Sequence, residues 1–323
     1  MKKISVVVPC YNEEKSVHVM HKTITDLFNN QLNKYDYELI FADDYSSDNT
    51  RSELEAICAK DKKVKAILNA KNFGFNRNVF YSLMQGTGDA VFLVFGDMQD
   101  PPRLLVDFVA LWEDGNKVII GQKLESKENK LIYFFRTLFY KVMDRLAQVQ
   151  QIQHFNGFGL YDKDFIEAIK LIDDPQPYLK GIVGEFGMKQ YIYNYTQEES
   201  ARGKSNFNFF KYYDVVMLAI TSYTKVLMRI ATFIGIFVAV GSMLVVAFIL
   251  INKMLNWETY LVGSAALTVG VFFIGAVQLF FIGILGEYIL SINSRSLRRP
   301  LVIPEKKLNF DDVEEEKNDR KCS

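Results

Sequence analysis

The first 125 residues alternate short apolar runs with charged segments of helical character. Four such runs lie at residues 4–9, 37–44, 64–68 and 90–97. Continuous apolar runs of this length, separated by amphipathic segments, are typical of strands covered on both faces. The pattern predicts an α/β, Rossmann-like domain whose sheet is mostly parallel.

Polar residues follow three of the predicted strands. They are Tyr11, Asn12 and Glu13 after the first strand, Asp43 and Asp44 at the end of the second, and Asp97 at the end of the fourth. Ligands of open α/β sheets bind beyond the carboxyl ends of the strands. We therefore expect the three groups to share one ligand-binding edge.

Two stretches in the second half of the chain, 230–251 and 259–286, contain no charged residue. Each is long enough to cross the hydrocarbon core of a bilayer. Basic residues precede the first and follow the second, which places both ends on the cytoplasmic side. The pattern predicts a two-helix transmembrane hairpin, with two buried core helices as the alternative. The corresponding localisation is a multi-pass protein of the cell inner (plasma) membrane, with the N-terminal domain and both termini cytoplasmic.

The remaining segments complete the predicted domain organisation. Residues 1–206 form the N-terminal domain, and 207–229 form an amphipathic juxtamembrane helix. Residues 130–148 also have an amphipathic pattern, which fits either an interfacial helix or a helix packed on the domain. The tail, 287–323, ends in a highly charged segment typical of disorder.

Composition narrows the classes of function. The 38 basic and 38 acidic residues cancel, so the overall charge gives no indication of nucleic-acid binding. The three cysteines form no CxxC pair, which disfavours a zinc site or a disulfide framework and fits a reducing compartment.

The acidic residues at the predicted edge suit the transfer of a sugar from a nucleotide. Asp43 or Asp44 could accept hydrogen bonds from a base or a ribose, and Asp97 could bind a hard divalent cation. Helix capping is the alternative for each of these acids. Further along, Arg202 and Lys204 flank a glycine, which fits a phosphate clamp or a solvated basic turn.

Seven segments in order resemble a known family: "SVVVPCYNEE", "FADDYSSDNT", "NAKNFGFNRN", "GDMQDPP", "GFGLYDK", "RGKSNFNFFKYYD" and "GEYI...RRPLVIPEKKLNF". Together they resemble the family 2 glycosyltransferases of the GT-A fold. The resemblance is to the polyprenyl-phosphate branch, which includes bactoprenol (undecaprenyl-phosphate) glucosyltransferases and dolichyl-phosphate mannose synthases. It implies an inverting, metal-dependent transfer from a UDP- or GDP-linked sugar, with the UDP-sugar favoured, to undecaprenyl phosphate at a membrane, or to dolichyl phosphate in a eukaryote or archaeon. It also implies a homo-oligomer, a tetramer among relatives with such hairpins.

The resemblance assigns roles to individual residues. The nucleotide sugar would be bound by Pro9, Tyr11, Glu13, Asp43, Asp44 and Asp97. Mg²⁺ or Mn²⁺ would be held by Asp97 and Gln99. The acceptor phosphate would be bound by Arg202, Lys204 and Lys180, and catalysis would depend on Asp97, Arg202 and Lys204.

Two positions depart from the family pattern. Phe95 stands where many relatives have the first aspartate of the metal-binding turn, so Asp97 would be the single carboxylate ligand. The segment Asn156-Gly157-Phe158-Gly159 lacks an aspartate that relatives often carry. A phosphate acceptor is already largely ionised at neutral pH, so its oxygen needs no base.

Two other functions remain compatible with the sequence. A processive polysaccharide synthase would normally show a "QxxRW"-like segment, and the two tryptophans, Trp112 and Trp257, lie in no such context. A catalytically silent sugar-nucleotide binder or membrane scaffold is favoured only by the two departures. The sequence does not indicate which sugar is transferred.

Overall fold

The computed structural model describes residues 1–123, 155–197, 264–297 and 299–310, and isolated positions between 237 and 255. Residues 1–123, 155–197 and 299–310 belong to one compact unit. A long helix, Ser264–Ser296, belongs to a second compact unit.

The described residues of the first unit form one eight-stranded sheet. In chain order the strands are β1 (Lys3–Cys10), β2 (Asp36–Asp43), β3 (Val64–Asn69), β4 (Ala90–Leu93), β5 (Val118–Lys123), β6 (Gly159–Asp162), β7 (Gln190–Tyr195) and β8 (Pro304–Leu308). Their spatial order is β7-β5-β6-β4-β1-β2-β3-β8. Four of the neighbouring pairs are parallel and three are antiparallel, so the predicted α/β fold with a mostly parallel sheet is confirmed.

Helices α1 (Val17–Asn30), α2 (Thr50–Lys60) and α3 (Phe75–Met84) connect the parallel strands β1 to β4 in turn. The other helices of the described residues are α4 (Leu105–Glu113, after a 3-10 turn at Pro102–Leu104), α5 (Lys163–Lys170), α6 (Leu179–Glu185) and, in the second unit, α7 (Ser264–Ser296). The strand order moves outward from β1 to β3 and then returns to β4 on the other side of β1. This reversal makes the β1/β4 boundary a topological switch point, where a crevice for ligands opens at the carboxyl ends of the strands.

The four apolar runs are confirmed as the strands β1 to β4, and β1 to β3 keep nearly every residue buried. The fourth ends earlier than predicted, at Leu93 rather than at residue 97. The chain turns away after Val94, and Met98 adopts a left-handed conformation with φ 58°. Asp97 therefore lies in a turn rather than at the last position of a strand.

The charged tail is ordered at its beginning. Residues Pro304–Leu308 form β8, which pairs antiparallel with the edge strand β3. The prediction of disorder was wrong for these residues because β3 offers them an open edge with free backbone hydrogen-bonding groups.

The transmembrane hairpin is not supported by the structure. Within the described part of the chain, no helix combines the length and the hydropathy that a bilayer crossing requires. Helix α7 overlaps the predicted span 259–286, but it continues through Glu287 and Arg295, so part of its length is polar. The predicted localisation as a multi-pass plasma-membrane protein depended on that hairpin and is wrong by this finding.

Other predicted segments lie outside the described residues. These are the amphipathic segments 130–148 and 207–229, and most of the span 230–251. The predicted boundaries of the domains around them remain predictions.

Candidate functional site

The loops that follow β1 and β2 are joined by hydrogen bonds. Asn12, with φ 56°, donates its backbone N–H to Oγ of Ser46 at 2.8 Å, and its side-chain oxygen accepts from the backbone N–H of Ser47 at 2.8 Å. Glu13 is buried, whereas Tyr11 is 40% exposed. The two loops therefore form one wall, on which Tyr11 presents an accessible ring.

Asp43 ends β2 with a fully buried carboxylate. It accepts hydrogen bonds from the backbone N–H of Ser46 at 3.1 Å and from the Ser46 hydroxyl. Nε of Arg51 lies 3.8 Å from its Oδ2. Burial raises the pKa of Asp43 above its usual value, and the Ser46 hydrogen bonds and the Arg51 charge partly oppose that rise.

Asp44, the neighbouring acid, organises the protein itself. Its Oδ1 accepts from Nδ2 of Asn69 at 3.0 Å and from the backbone N–H of Phe73 at 2.9 Å, and its Oδ2 accepts from the backbone N–H of Gly74 at 2.9 Å. Protein donors thus contact both oxygens and fix the loop between β3 and α3. Asp43 is likewise fully buried and accepts from Ser46 through both of its oxygens, so both acids hold the loops around the wall in place.

The turn after β4 carries the predicted metal ligand. Asp97 is partly buried, and its Oδ1 accepts from the backbone N–H of Gln99 at 3.2 Å. The preceding Gly96 lies directly against Glu13: a Cβ on Gly96 would be 3.1 Å from Cγ of Glu13 and 3.5 Å from its carboxyl carbon. The structure thus brings the loop after β1 and the turn after β4 into contact at the switch point.

The residues around Asp97 fit a cation that is bound mainly through its substrate. Among the described residues, no group of three or more His, Cys, Asp or Glu side chains is arranged to hold a metal ion. The side-chain oxygen of Gln99 accepts from Nε2 of Gln197 at 2.9 Å, so Gln99 is at most a shared ligand. Mg²⁺ commonly uses one or two carboxylates together with substrate phosphates and water, and Asp97 meets that requirement.

The two departures from the family pattern are neighbours in space. Phe95 is 8% exposed, and its ring lies 5.3 Å from the ring of Phe75. A Cβ on Gly157, which has φ 111°, would lie 3.3 Å from Leu93 and 3.6 Å from Phe95. An apolar contact therefore fills the space beside the turn, at the two positions where relatives carry aspartates.

Asp100 connects the ends of β5 and β7 with the loop that contains Asn156. Its buried carboxylate accepts from the Tyr195 hydroxyl at the end of β7 and from Nδ2 of Asn156 at 2.7 Å, and Nζ of Lys123 lies 3.7 Å away. Burial and the Asp100 charge raise the pKa of Tyr195. This bonding gives Asp100 a structural role and fixes the Asn156 loop beside the turn.

The predicted phosphate-binding residues are only partly covered by the structure. Lys180 lies in the first turn of α6, next to Leu179, whose Cδ2 is 3.5 Å from the Cβ position of Gly157. Helix α6 thus begins beside the Asn156 loop. Arg202 and Lys204 lie outside the described residues.

Sequence reasoning missed Arg51 and Tyr195. Arg51 follows the "DDYSSDNT" segment directly and lies in the first turn of α2, so the spacing from Asp43 was an available signal. Tyr195 ends a strand that forms late in the chain, and nothing in its local sequence indicates contact with Asp100.

One solved structure with a related fold is glucosyl-3-phosphoglycerate synthase from Mycobacterium tuberculosis, in complex with Mn²⁺, UDP-glucose and phosphoglyceric acid. It matches 68% of this chain and 78% of its own chain, at 17% identity and a TM-score of 0.45.

Sequence comparisons are more specific. The family profile described as Glycosyl transferase family 2 matches residues 5–182. The bactoprenol glucosyl transferase of Shigella phage SfV is 32% identical over 302 residues, which cover 93% of this chain and 97% of that protein. The prophage bactoprenol glucosyl transferase homolog of Escherichia coli K12 is 30% identical over 302 residues, covering 93% and 98%. The chain therefore belongs to glycosyl transferase family 2, as a glycosyltransferase of the GT-A fold that resembles bactoprenol glucosyl transferases over nearly its whole length.

Proposed function

We propose that the chain transfers a sugar from a nucleotide sugar to undecaprenyl phosphate, with inversion at the anomeric carbon. A UDP-sugar is favoured over a GDP-sugar as the donor. The acceptor is proposed because relatives that align with 93% of the chain are named bactoprenol glucosyl transferases. The observation that carries the proposal is the contact between Glu13 and Gly96, which joins the loop after β1 and the turn of Asp97 at the switch point.

The donor nucleotide would lie along the wall formed by the loops after β1 and β2. Asp43 would fix the position of this wall through the hydrogen bonds that its buried carboxylate accepts from Ser46. Tyr11 offers an exposed ring for stacking, and Pro9 shapes the buried end of β1. Glu13 lies nearer the turn of Asp97, on the diphosphate side of the proposed site.

Asp97 would hold Mg²⁺ or Mn²⁺ against the diphosphate, with Gln99 as a shared ligand. When bound, such a cation neutralises the charge that develops on the departing nucleoside diphosphate. Phe95 and Gly157 keep a second carboxylate out of this region, which limits the negative charge that would repel the diphosphate.

The acceptor would be activated by its own ionisation. No acid stands at Gly157, and the nearby carboxylate of Asp100 is engaged by Tyr195 and Asn156. A phosphate monoester has a second pKa near 6, so its attacking oxygen is already charged at neutral pH. The protein then needs mainly to hold the phosphate in line with the anomeric carbon, a role we assign to Arg202 and Lys204, with Lys180.

The test is a transfer assay with the full chain, radiolabelled UDP-glucose, MgCl₂ or MnCl₂, and a short-chain polyprenyl phosphate. A butanol-extractable labelled lipid is expected. Asp97→Asn should reduce its formation by a factor on the order of 100 or more, because one charged group at the site of charge development is lost. Excess EDTA should have the same effect on the wild type.

A matched control is Asp107→Asn. This change removes a carboxylate of α4 that accepts a hydrogen bond from the Tyr193 hydroxyl at 2.8 Å, away from the turn. Its rate should stay near that of the wild type. Full turnover of Asp97→Asn, or of the wild type in EDTA, would contradict the metal role, and a labelled polymer in place of the lipid would indicate a processive enzyme.

A further inference from the structure

Arg51 occupies a position between the proposed nucleotide wall and the last strand of the sheet. Its Nε lies 3.8 Å from Oδ2 of Asp43, and its guanidinium carbon lies 5.5 Å from the centre of the Tyr45 ring. On its other side, Nη2 donates to Oε2 of Glu305 at 2.6 Å. One guanidinium therefore contacts a buried acid, an exposed aromatic ring and an acid from the far end of the chain.

Glu305 reaches Arg51 because β8 pairs with β3. The strand lies antiparallel on that edge, with Leu68 opposite Lys306 and Asn69 opposite Pro304. The side chain of Glu305 is 56% exposed and that of Arg51 is 25% exposed. Ion pairs this exposed to solvent contribute little to the free energy of unfolding, so stability alone does not explain the Arg51–Glu305 pair.

We propose that Arg51, held in place by Glu305, is a positioning residue of the donor site that acts through Asp43. The proposal rests on the proposed function, because it assumes that the nucleotide lies along the wall that Asp43 holds through Ser46. It adds a role for β8: the C-terminal strand orients a cation that the nucleotide wall requires.

The environment of Asp43 explains why a positioned cation is needed. Its carboxylate has no exposed surface, and its hydrogen-bond donors include the hydroxyl and the backbone N–H of Ser46. A buried carboxylate stays ionised only if charges or donors compensate for the lost water. Arg51 supplies the positive charge, and an ionised Asp43 is the stronger acceptor for the Ser46 hydrogen bonds that fix the wall.

The geometry of the Arg51 side chain makes the partner on its other side important. Its guanidinium meets Asp43 through Nε and Glu305 through Nη2, so two acids contact different nitrogens of one planar group. Two such contacts restrict the rotation of a long side chain that otherwise samples many rotamers. Without Glu305, Arg51 would keep its charge but would lose its fixed position beside Asp43.

The structure offers a matched control on the same two elements. Lys306, the next residue of β8, pairs with Glu55 of α2 at 2.8 Å, and these side chains are 53% and 46% exposed. The substitution Lys306→Gln breaks an ion pair between the same strand and the same helix as Glu305→Gln does. Among the described hydrogen bonds and ion pairs, Lys306 and Glu55 have no contact with the wall formed by the loops after β1 and β2.

The experiment compares the two variants in the full chain by calorimetric binding of UDP and by steady-state transfer from UDP-glucose. Glu305→Gln should raise the Kd for UDP and the KM for UDP-glucose by about 3- to 10-fold, which corresponds to about 0.7 to 1.4 kcal/mol of binding free energy. The kcat should change by less than about twofold, since the reacting groups are untouched. Lys306→Gln should leave all three constants near the wild-type values.

Exchanging the two charges tests whether the Arg51–Glu305 pair positions Arg51 beside Asp43 or only attaches β8 to α2. The double variant R51E/E305R restores an ion pair between α2 and β8 but places a carboxylate beside Asp43. We expect it to have lower affinity for UDP than Glu305→Gln, because two like charges would then adjoin in a buried site. If the pair only docks the strand, the exchange should recover wild-type binding.

The outcomes distinguish this inference from the proposed function. Wild-type protein that binds neither UDP nor GDP would refute the proposed donor site and the role of Arg51 with it. Wild-type binding of UDP, combined with equal constants for Glu305→Gln and Lys306→Gln or with rescue by the charge exchange, would overturn the role of Arg51 alone.

Discussion

At the scale of single residues, Phe95 replaces a carboxylate by an apolar contact. Its ring packs against Phe75 at 5.3 Å and lies 3.6 Å from the Cβ position of Gly157. Restoring the aspartate seen in many relatives would therefore place a charge where this chain provides apolar neighbours. Burying a charge without a partner is costly, and loss of a buried phenylalanine ring leaves a cavity.

We expect Phe95→Asp to lower the free energy of unfolding by about 3 kcal/mol or more, and to give no gain in Mn²⁺ affinity. Chemical denaturation and Mn²⁺ titration would measure the two effects. Phe95→Leu is the matched control, since it keeps an apolar side chain and should cost less than about 1.5 kcal/mol. Unchanged stability together with tighter Mn²⁺ binding in Phe95→Asp would show that the pocket accepts a second carboxylate.

The roles of Asp43 and Asp44 show where sequence reasoning stops at this scale. Both acids lie at the end of one predicted strand. Because they are identical neighbours in one motif, the sequence alone does not distinguish their roles. The structure separates them through partners far along the chain, because Asn69, Phe73 and Gly74 donate to Asp44. Such contacts depend on the path of the loop after β3, which no local pattern specifies.

At the scale of elements, the apolar runs identified the strands β1 to β4 but missed β5 and β6, which are also largely buried. Strands β1, β2 and β3 are buried along nearly their whole length, so apolar residues dominate their sequences. Strand β7 is mostly exposed and rich in polar and aromatic residues, and β8 is exposed or half-buried and rich in charged residues, so no apolar run marked them. Edge strands of this kind form because a neighbour offers a pairing edge.

Asn309, directly after β8, forms hydrogen bonds with the end of α2 and the start of β3. Its Nδ2 donates to the carbonyl oxygens of Cys58 and Val64, each at 2.7 Å, and the residue has φ 59°. Asparagine tolerates this left-handed conformation better than most residues. One side chain thus stabilises the turn after β8 and its contact with the end of α2 and the start of β3.

We expect Asn309→Ala to accelerate amide hydrogen exchange in β8 by about 5- to 100-fold, since a local opening would lose about 1 to 3 kcal/mol of stabilisation. Mass-spectrometric exchange on the full chain would measure it. Asn309→Gly tolerates the left-handed φ but also lacks the amide, so exchange as fast as in Asn309→Ala would assign the effect to the hydrogen bonds. Wild-type exchange in both variants would show that β8 is held by its ladder with β3 alone.

At the scale of the whole molecule, the two ends of the sheet carry different electrostatics. At the carboxyl ends, Asp43 has a raised pKa and Asp97 lies partly exposed in its turn. At the amino ends, Glu38 is buried among Lys3, Lys65 and Ser5. The sequence predicted the polar carboxyl edge, but it gave no sign of the cluster at the amino edge, whose members lie in three different strands.

The cluster around Glu38 is fully bonded. Oε1 of Glu38 accepts from Ser5 at 2.6 Å and from the backbone and hydroxyl of Thr87, each at 2.8 Å, while Lys3 and Lys65 lie 3.0 and 2.9 Å from Oε2. Burial by itself would raise the pKa of Glu38. The hydrogen bonds from Lys65, Ser5, Thr87 and Lys3 outweigh burial and lower that pKa from 4.5 to about 2.

This shift predicts how stability depends on pH. A carboxyl whose pKa is lowered on folding stabilises the fold above its unfolded pKa, and that contribution is lost as pH falls through the folded pKa. For Glu38 the contribution is about 3 kcal/mol at neutral pH, and it should disappear between pH 4.5 and about 2. Urea unfolding at several pH values should therefore show Glu38→Gln well below the wild type at pH 7, with the gap narrowing through that window.

Glu113→Gln provides the control for this measurement, because Glu113 also has a lowered pKa and pairs with Lys2 at 2.7 Å. Its side chain is 35% exposed, against 3% for Glu38, so solvent screens its charge and its substitution should cost about 1 kcal/mol or less. A gap for Glu38→Gln that stays constant down to pH 2 would mean that packing and neutral hydrogen bonds, rather than the charge of Glu38, hold the amino edge of the sheet together. A stability gap that closes would mean that acid weakens the sheet at the edge opposite the donor site. The enzyme would then lose activity at low pH partly because it unfolds. Unfolding must therefore be measured before that loss of activity is assigned to protonation of the phosphate acceptor.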